Sequence, residues 1–298
     1  MFRYPEFDGS LLDLAERKEE ELKGVYAQID EISEANQYKV LNAFRKHKIS
    51  DIHFNSSSGY GYSEIGREQL EAVYADVFNC EDALVRSQIT CGTHAIYLGL
   101  SACLLPGDEL LYITGSPYDS LEMSVGIVPS ALSLAEFGIT FDYTDLIDEK
   151  YFDREAIRSK IRPSTKVVAI QRSKGYKVRT SFSPSQIGEV IKFVKSIRED
   201  IIVFVDNCYG EFVDTDEPTD HGADLIAGSL IKNPGGGLAL SGGYIVGRAD
   251  LIEQISYRLT CPGIGAECGL TFGQNRNVLQ GLFIAPGVVN AALKGAIL

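Results

Sequence analysis

Lys232 and Asp206 are the residues of this chain best suited to chemistry. Lys232 closes the run Gly222-Ala223-Asp224-Leu225-Ile226-Ala227-Gly228-Ser229-Leu230-Ile231-Lys232 and precedes Asn233-Pro234-Gly235-Gly236-Gly237. Asp206 ends the apolar run Ile201-Ile202-Val203-Phe204-Val205. An amine among small and apolar neighbours can capture an aldehyde, and a carboxylate at a strand end can keep a heteroaromatic nitrogen protonated. Those two demands belong to pyridoxal 5'-phosphate (PLP) chemistry. In isolation, a lysine beside a Gly-rich loop is ordinary surface. The surrounding strings carry the argument.

Two further stretches offer what a phosphorylated ring needs. Ile89-Thr90-Cys91-Gly92-Thr93-His94 runs directly into an apolar helix. Backbone N–H groups at a helix N-terminus are unpaired, and the helix dipole favours an anion there. Gly92 permits close approach and Thr93 adds a hydroxyl, although Thr93 also reads as an ordinary N-cap. Gly115-Ser116-Pro117-Tyr118-Asp119-Ser120 follows a strand. There, Tyr118 can lay an electron-rich face over a cationic ring.

The elements that must position these residues follow from hydrophobic periodicity. The chain is helical from about residue 10 to 47, with Asp30 or Ser33 as a capping point that divides the stretch. Residues 50–66 are polar and turn-rich. Helices are expected over Arg67–Phe78, Thr93–Leu104 and Ser185–Ser196. Strands are expected over Glu109–Ile113, Val167–Ile170, Ile201–Val205, Leu225–Ala227 and Tyr244–Val246. Apolar strands alternating with helices imply an α/β fold, with a mainly parallel sheet covered on both faces. In such a sheet, residues at strand carboxyl ends meet in one crevice.

In combination these strings resemble the fold-type I PLP enzymes, specifically the methionine gamma-lyase-like family also called aluminium resistance protein or cystathionine beta-lyase-like. The residues that carry the resemblance are Gly222-Ala223-Asp224 with Ser229-x-x-Lys232, Val205-Asp206-Asn207, Ser57-Ser58-Gly59-Tyr60-Gly61-Tyr62, Ser116-Pro117-Tyr118-Asp119-Ser120-Leu121-Glu122 and Ile170-Gln171-Arg172-Ser173-Lys174-Gly175-Tyr176. The resemblance implies a three-layer α/β/α fold-type I architecture plus an incomplete small α+β domain. It makes Lys232 the Schiff-base lysine, Asp206 the ring-nitrogen partner, Tyr118 the stacking ring, and Cys91, Gly92, Thr93 and Ser229 the phosphate site. It also implies that Tyr62 and Arg67 reach the phosphate of a neighbouring subunit, with a spacing that departs from the family's tighter Tyr-x-Arg. The implied organisation is an N-terminal helical segment and loop (1–60), a large PLP-binding domain (61–275), and the start of a small domain (276–298). The implied activity is carbon–sulfur lysis of a sulfur-containing amino acid by a homodimer or homotetramer. An aminotransferase and an inactive PLP-fold protein share the same residues and stay open.

Family members are longer than this chain, and Ala291-Ala292-Leu293-Lys294-Gly295-Ala296-Ile297-Leu298 reads as a helix stopping on apolar residues. The expectation is a fragment, with a docking C-terminal helix as the alternative. The arginine that grips a substrate carboxylate is therefore not assigned.

Composition excludes other classes. A net charge of −13 disfavours nucleic acid and anionic membranes. No apolar stretch long enough to span a bilayer escapes interruption by Gly, Pro or charge. Six scattered cysteines without a C-x-x-C pair suggest reduced thiols in the cytoplasm. Four histidines lack metal-ligand spacing, so no metal site is expected. Ser229-x-x-Lys232 also fits a penicillin-binding nucleophile motif, but its S-D-N and K-T-G partners are absent. There is no P-loop, and Gly263-Ile264-Gly265 follows Cys261-Pro262 rather than a strand.

Overall fold

Seven strands lie side by side in one sheet in the computed structural model, which describes residues 6–298. In chain order the strands are β1 (Asp82–Arg86), β2 (Glu109–Tyr112), β3 (Thr140–Tyr143), a separate small hairpin of β4 (Leu146–Ile147) and β5 (Tyr151–Phe152), β6 (Thr165–Gln171), β7 (Ile202–Asp206), β8 (Leu225–Ser229) and β9 (Gly243–Gly247). The sheet order is β1-β9-β8-β7-β6-β2-β3. From β8 to β3 every pairing is parallel, while β9 runs against both β8 and β1.

Side chains alternate across this sheet with the strand period of two. Val168, Ile170, Val203, Val205 and Ile226 join one core, and Val167, Ala169, Ile202, Phe204 and Leu225 join the other. Helix α3 (Ile65–Val77), through Leu70 and Val73, helps close the first core. Helix α4 (Gly92–Cys103), through Ala95, Ile96 and Leu98, helps close the second. Both sheet faces are thereby covered, as near-continuous apolar strands require. The result is a three-layer α/β/α fold.

The N-terminal region departs from expectation. Helix α1 (Gly9–Glu21) stops near Leu22, and α2 (Lys23–Lys46) then runs unbroken past Asp30 and Ser33. Those polar residues serve as interhelical partners rather than caps. The Ser33 hydroxyl donates to the Pro286 carbonyl at 3.1 Å, and Asp30 Oδ1 accepts from Asn290 and Lys294. Their partners lie on the last helix, Asn275–Ile297, which runs straight through Pro286. By length and composition this helix could cross a bilayer. Its Val278, Leu279, Leu282, Ala285 and Val289 are nevertheless buried in the first core, beside Val40 and Ala43 of α2. Helix α2 and the last helix thus share this core with the sheet, whereas α1 buries no residue.

Candidate functional site

The carboxyl ends of the parallel strands carry the expected residues. Asp206 is the last residue of β7, Lys232 lies three positions beyond β8, and Tyr118 follows β2. All three line one cavity of about 810 Å³, together with Arg172, Cys208, Tyr209 and the loop from Ser173 to Tyr176. Parallel strands bring sequence-distant ends together because each crossover returns the chain to the same edge.

Asp206 is only 4% exposed. Its Oδ1 accepts the Cys208 backbone N–H at 3.1 Å. Burial pushes the carboxyl group above its ordinary pKa, against the opposing pull of the Cys208 bonds and the Lys232 and Arg179 charges. A buried carboxylate facing a cavity is stabilised by any cation placed there. On Lys232, burial works against the ammonium, but Cys208, Tyr209 and Asp206 outweigh it and raise the pKa. The amine sits 4.0 Å from the centre of the Tyr209 ring.

The residues expected to meet a phosphate gather around the start of α4. Cys91 caps the helix, its sulfur accepting the His94 N–H at 3.5 Å. The N–H groups of Gly92 and Thr93 lie ahead of the first intrahelical bond, Ala95 N–H to Cys91 O. A Cβ on Gly92 would stand 3.2 Å from Ser229 Cβ and 3.3 Å from Cys208 Sγ, so glycine lets α4 and β8 approach. The Tyr118 hydroxyl donates to Thr93 Oγ1 at 3.1 Å and joins the tyrosine to this loop. Burial, then the Asp206 charge, push the Tyr118 phenol above its ordinary pKa, which keeps it protonated.

Tyr62 and Arg67 stand apart from this group. Arg67 is 1% exposed and donates to the carbonyls of Gly61, Gly269 and Glu267 at 2.6, 3.0 and 3.0 Å. Within one chain its two terminal amino groups are committed to backbone carbonyls, and the expected reach to a neighbouring subunit's phosphate is a contact between chains. The buried Glu64 reinforces the same tie by accepting from Thr271 and Asn275. Tyr62 is exposed and meets Tyr60 edge-on at 6.2 Å between ring centres.

Sequence reasoning assigned no role to Cys208, Tyr209 or Arg172. Arg172 is buried, and its guanidinium donates to Asn207, Glu217 and Asp214 at 2.8–3.1 Å, holding the turn that follows Asp206. The one available signal was proximity, since Cys208 and Tyr209 follow Asp206 by two and three positions. Among the described residues, no His, Cys, Asp and Glu side chains cluster as a metal site.

The family profile described as methionine gamma-lyase matches residues 11–298. The chain belongs to the methionine gamma-lyase family. It is 56% identical to YnbB of Bacillus subtilis over 281 residues, covering 94% of this chain and 67% of that protein. The crystal structure of a carbon-sulfur lyase involved in aluminium resistance from Clostridium novyi is 50% identical, with a TM-score of 0.94 over 97% of this chain and 69% of that one. The pyridoxal-5'-phosphate dependent protein YhfS of Escherichia coli shares the fold, with a TM-score of 0.66 at 20% identity over 90% of this chain and 68% of that one. This chain thus spans about two thirds of the length of YnbB and of the Clostridium novyi lyase.

Proposed function

We propose that this protein binds PLP and acts as a carbon–sulfur lyase on a sulfur-containing amino acid, by a beta or gamma elimination of the cystathionine or methionine lyase type. The observation that carries the reading is the meeting of Asp206, Lys232 and Tyr118 in one cavity beside the start of α4. The residues fit the cofactor. A buried carboxylate faces the cavity, a glycine at the helix start lets Ser229 of β8 close on the first N–H groups of α4, and the cavity suits a small organic ligand. Asp206 would hold the ring nitrogen, Tyr118 the ring face, and Gly92, Thr93 and Ser229 the phosphate, near the Cys91 cap.

When bound, the cofactor supplies a sink for the electron pair left at the substrate's alpha carbon. The protein supplies the rest. Lys232 must lose a proton at Nζ to act as a nucleophile or base, and regains one when it removes a proton from substrate. Asp206 supplies negative charge at the cavity floor. Tyr118 keeps its phenolic proton and holds Thr93 in place. The exposed Tyr60 and Tyr62 pair suits contact with a second copy in a homodimer or homotetramer. Six free thiols suit a reducing compartment such as the cytoplasm.

The test is a visible spectrum of the purified protein with PLP, followed by borohydride reduction and peptide mapping. The expected result is cofactor trapped on Lys232, and loss of both trapping and turnover in Lys232→Ala. Release of a 2-oxo acid, thiol and ammonia marks the lyase. Trapping on another lysine, or on none, overturns the assignment, and accumulation of pyridoxamine phosphate overturns lysis in favour of amino transfer.

A further inference from the structure

Tyr209 sits at the third position of a tight turn. The Gly210 N–H donates to the Asn207 carbonyl at 2.8 Å, and Tyr209 takes a φ of +68°. Glycine or asparagine ordinarily fills such a position, because a Cβ is crowded in the left-handed region. A bulky ring persists there only where the surroundings over-determine the backbone. They do so here. Asn207 is fully buried between Arg172, at 2.8 Å, and Glu217, at 3.0 Å, and its N–H donates to Ala227 O. A Cβ on Gly210 would lie 2.5 Å from the Arg172 side chain, so the next residue is pinned as well.

The strained conformation gives the ring no apolar shelter, since Tyr209 is 59% exposed. What the ring does meet is the Lys232 amine, 4.0 Å from its centre. Lys232 is held in register from the other side, because the Asn233 side chain donates to the Glu211 carbonyl at 2.9 Å. The groups facing the amine are Asp206 at the end of β7, with Cys208 and Tyr209 from the turn. Asp206 could take the ammonium in an ion pair, which would occupy the carboxylate needed at the ring nitrogen. An aromatic face attracts a cation without accepting its proton.

We infer that Tyr209 is a positioning residue whose ring face holds the charged Lys232 amine beside Asp206 and leaves the carboxylate free. The consequence for catalysis rests on the cofactor reading above, whereas the contact between ring and amine does not. The test uses the purified chain, freed of carbonyl compounds with hydroxylamine and dialysis. It is pulse-labelled with an amine-reactive anhydride from pH 7 to 11, and modification at Lys232 is read by peptide mass mapping. Asp206→Asn is included throughout, so that a new ion pair cannot mask the ring. Tyr209→Phe keeps the face and should leave the midpoint of the labelling profile in place. Tyr209→Leu removes the face and should lower the midpoint by about 0.4–0.7 unit, which is about two- to fivefold more free amine at a given pH. An unchanged midpoint in Tyr209→Leu, or equal shifts in both variants, overturns the inference. Borohydride mapping reports separately on whether Lys232 is the cofactor's lysine, so the two failures are distinguishable.

Discussion

Asp206 and Glu211 lie five positions apart, are both buried, and face different surroundings. Asp206 opens on the cavity. Glu211 is sealed inside, with Oε1 accepting the Tyr244 hydroxyl at 2.6 Å and Oε2 without a partner. Burial, with Glu217 adding repulsion, pushes the Glu211 pKa up to about 8 despite the Tyr244 bond. The native chain therefore keeps a proton that the unfolded chain loses near the ordinary glutamate value. Stability falls as pH rises through that window and levels off above about 8. The loss is on the order of 3–5 kcal/mol. Glu211→Gln, neutral at every pH, should unfold at a temperature that declines much less between pH 5 and 8. Thermal melts across that range check this, and an equally steep decline in the variant would assign the slope elsewhere. Asp206 adds a slope of the same sign, because its pKa is raised as well.

At the scale of elements, the start of α4 does the most for the site. It combines unpaired N–H groups, a cysteine cap and one glycine seated against β8. Gly92→Ala puts a methyl group 3.2–3.3 Å from Ser229 and Cys208, a squeeze that local shifts can absorb. Folding should survive, and PLP affinity should fall by about tenfold, because the shift displaces the N–H groups and Ser229 that would meet the phosphate and weakens their bonds without removing a donor. Fluorescence or absorbance titration measures this, and unchanged affinity would show that the close seat of Gly92 against Ser229 and Cys208 does not shape the phosphate site. The principal strands and helices around the site were legible, because buried parallel strands read as β-branched runs and their helices as 3.6-period stretches. β1 was not legible. Its sequence Asp82-Ala83-Leu84-Val85-Arg86 is short and flanked by charge, and pairing with β9 makes it a strand. The unbroken α2 was missed for a related reason, since Asp30 and Ser33 look like caps until the last helix is present to receive them.

Across the whole molecule, Arg67 and Glu64 bind the loop before α3 to residues some 200 positions later. Arg67→Met should cost about 2–3 kcal/mol, because one buried and two part-buried carbonyls lose their donor. Urea unfolding with and without cofactor decides the role. Lost stability with cofactor affinity retained supports the structural tie, whereas intact stability with weakened affinity would restore a phosphate contact. The resemblance implied the phosphate role from the place of Tyr62 and Arg67 before α3, despite a spacing unlike the family's, and nothing local to them announces Glu267 or Gly269 as partners.

By itself, the sequence determined the α/β class, the family, and the chain order of Lys232, Asp206, Tyr118 and the glycine-led helix. Those features follow from periodicity and local strings. Only the tertiary structure decided that Arg67 ties Gly61 to Glu267 and Gly269, that Tyr209 lies under the Lys232 amine, and that burial raises the pKa of Glu211. Each of these depends on which distant groups share a desolvated space, and that is set when the sheet closes and its loops pack.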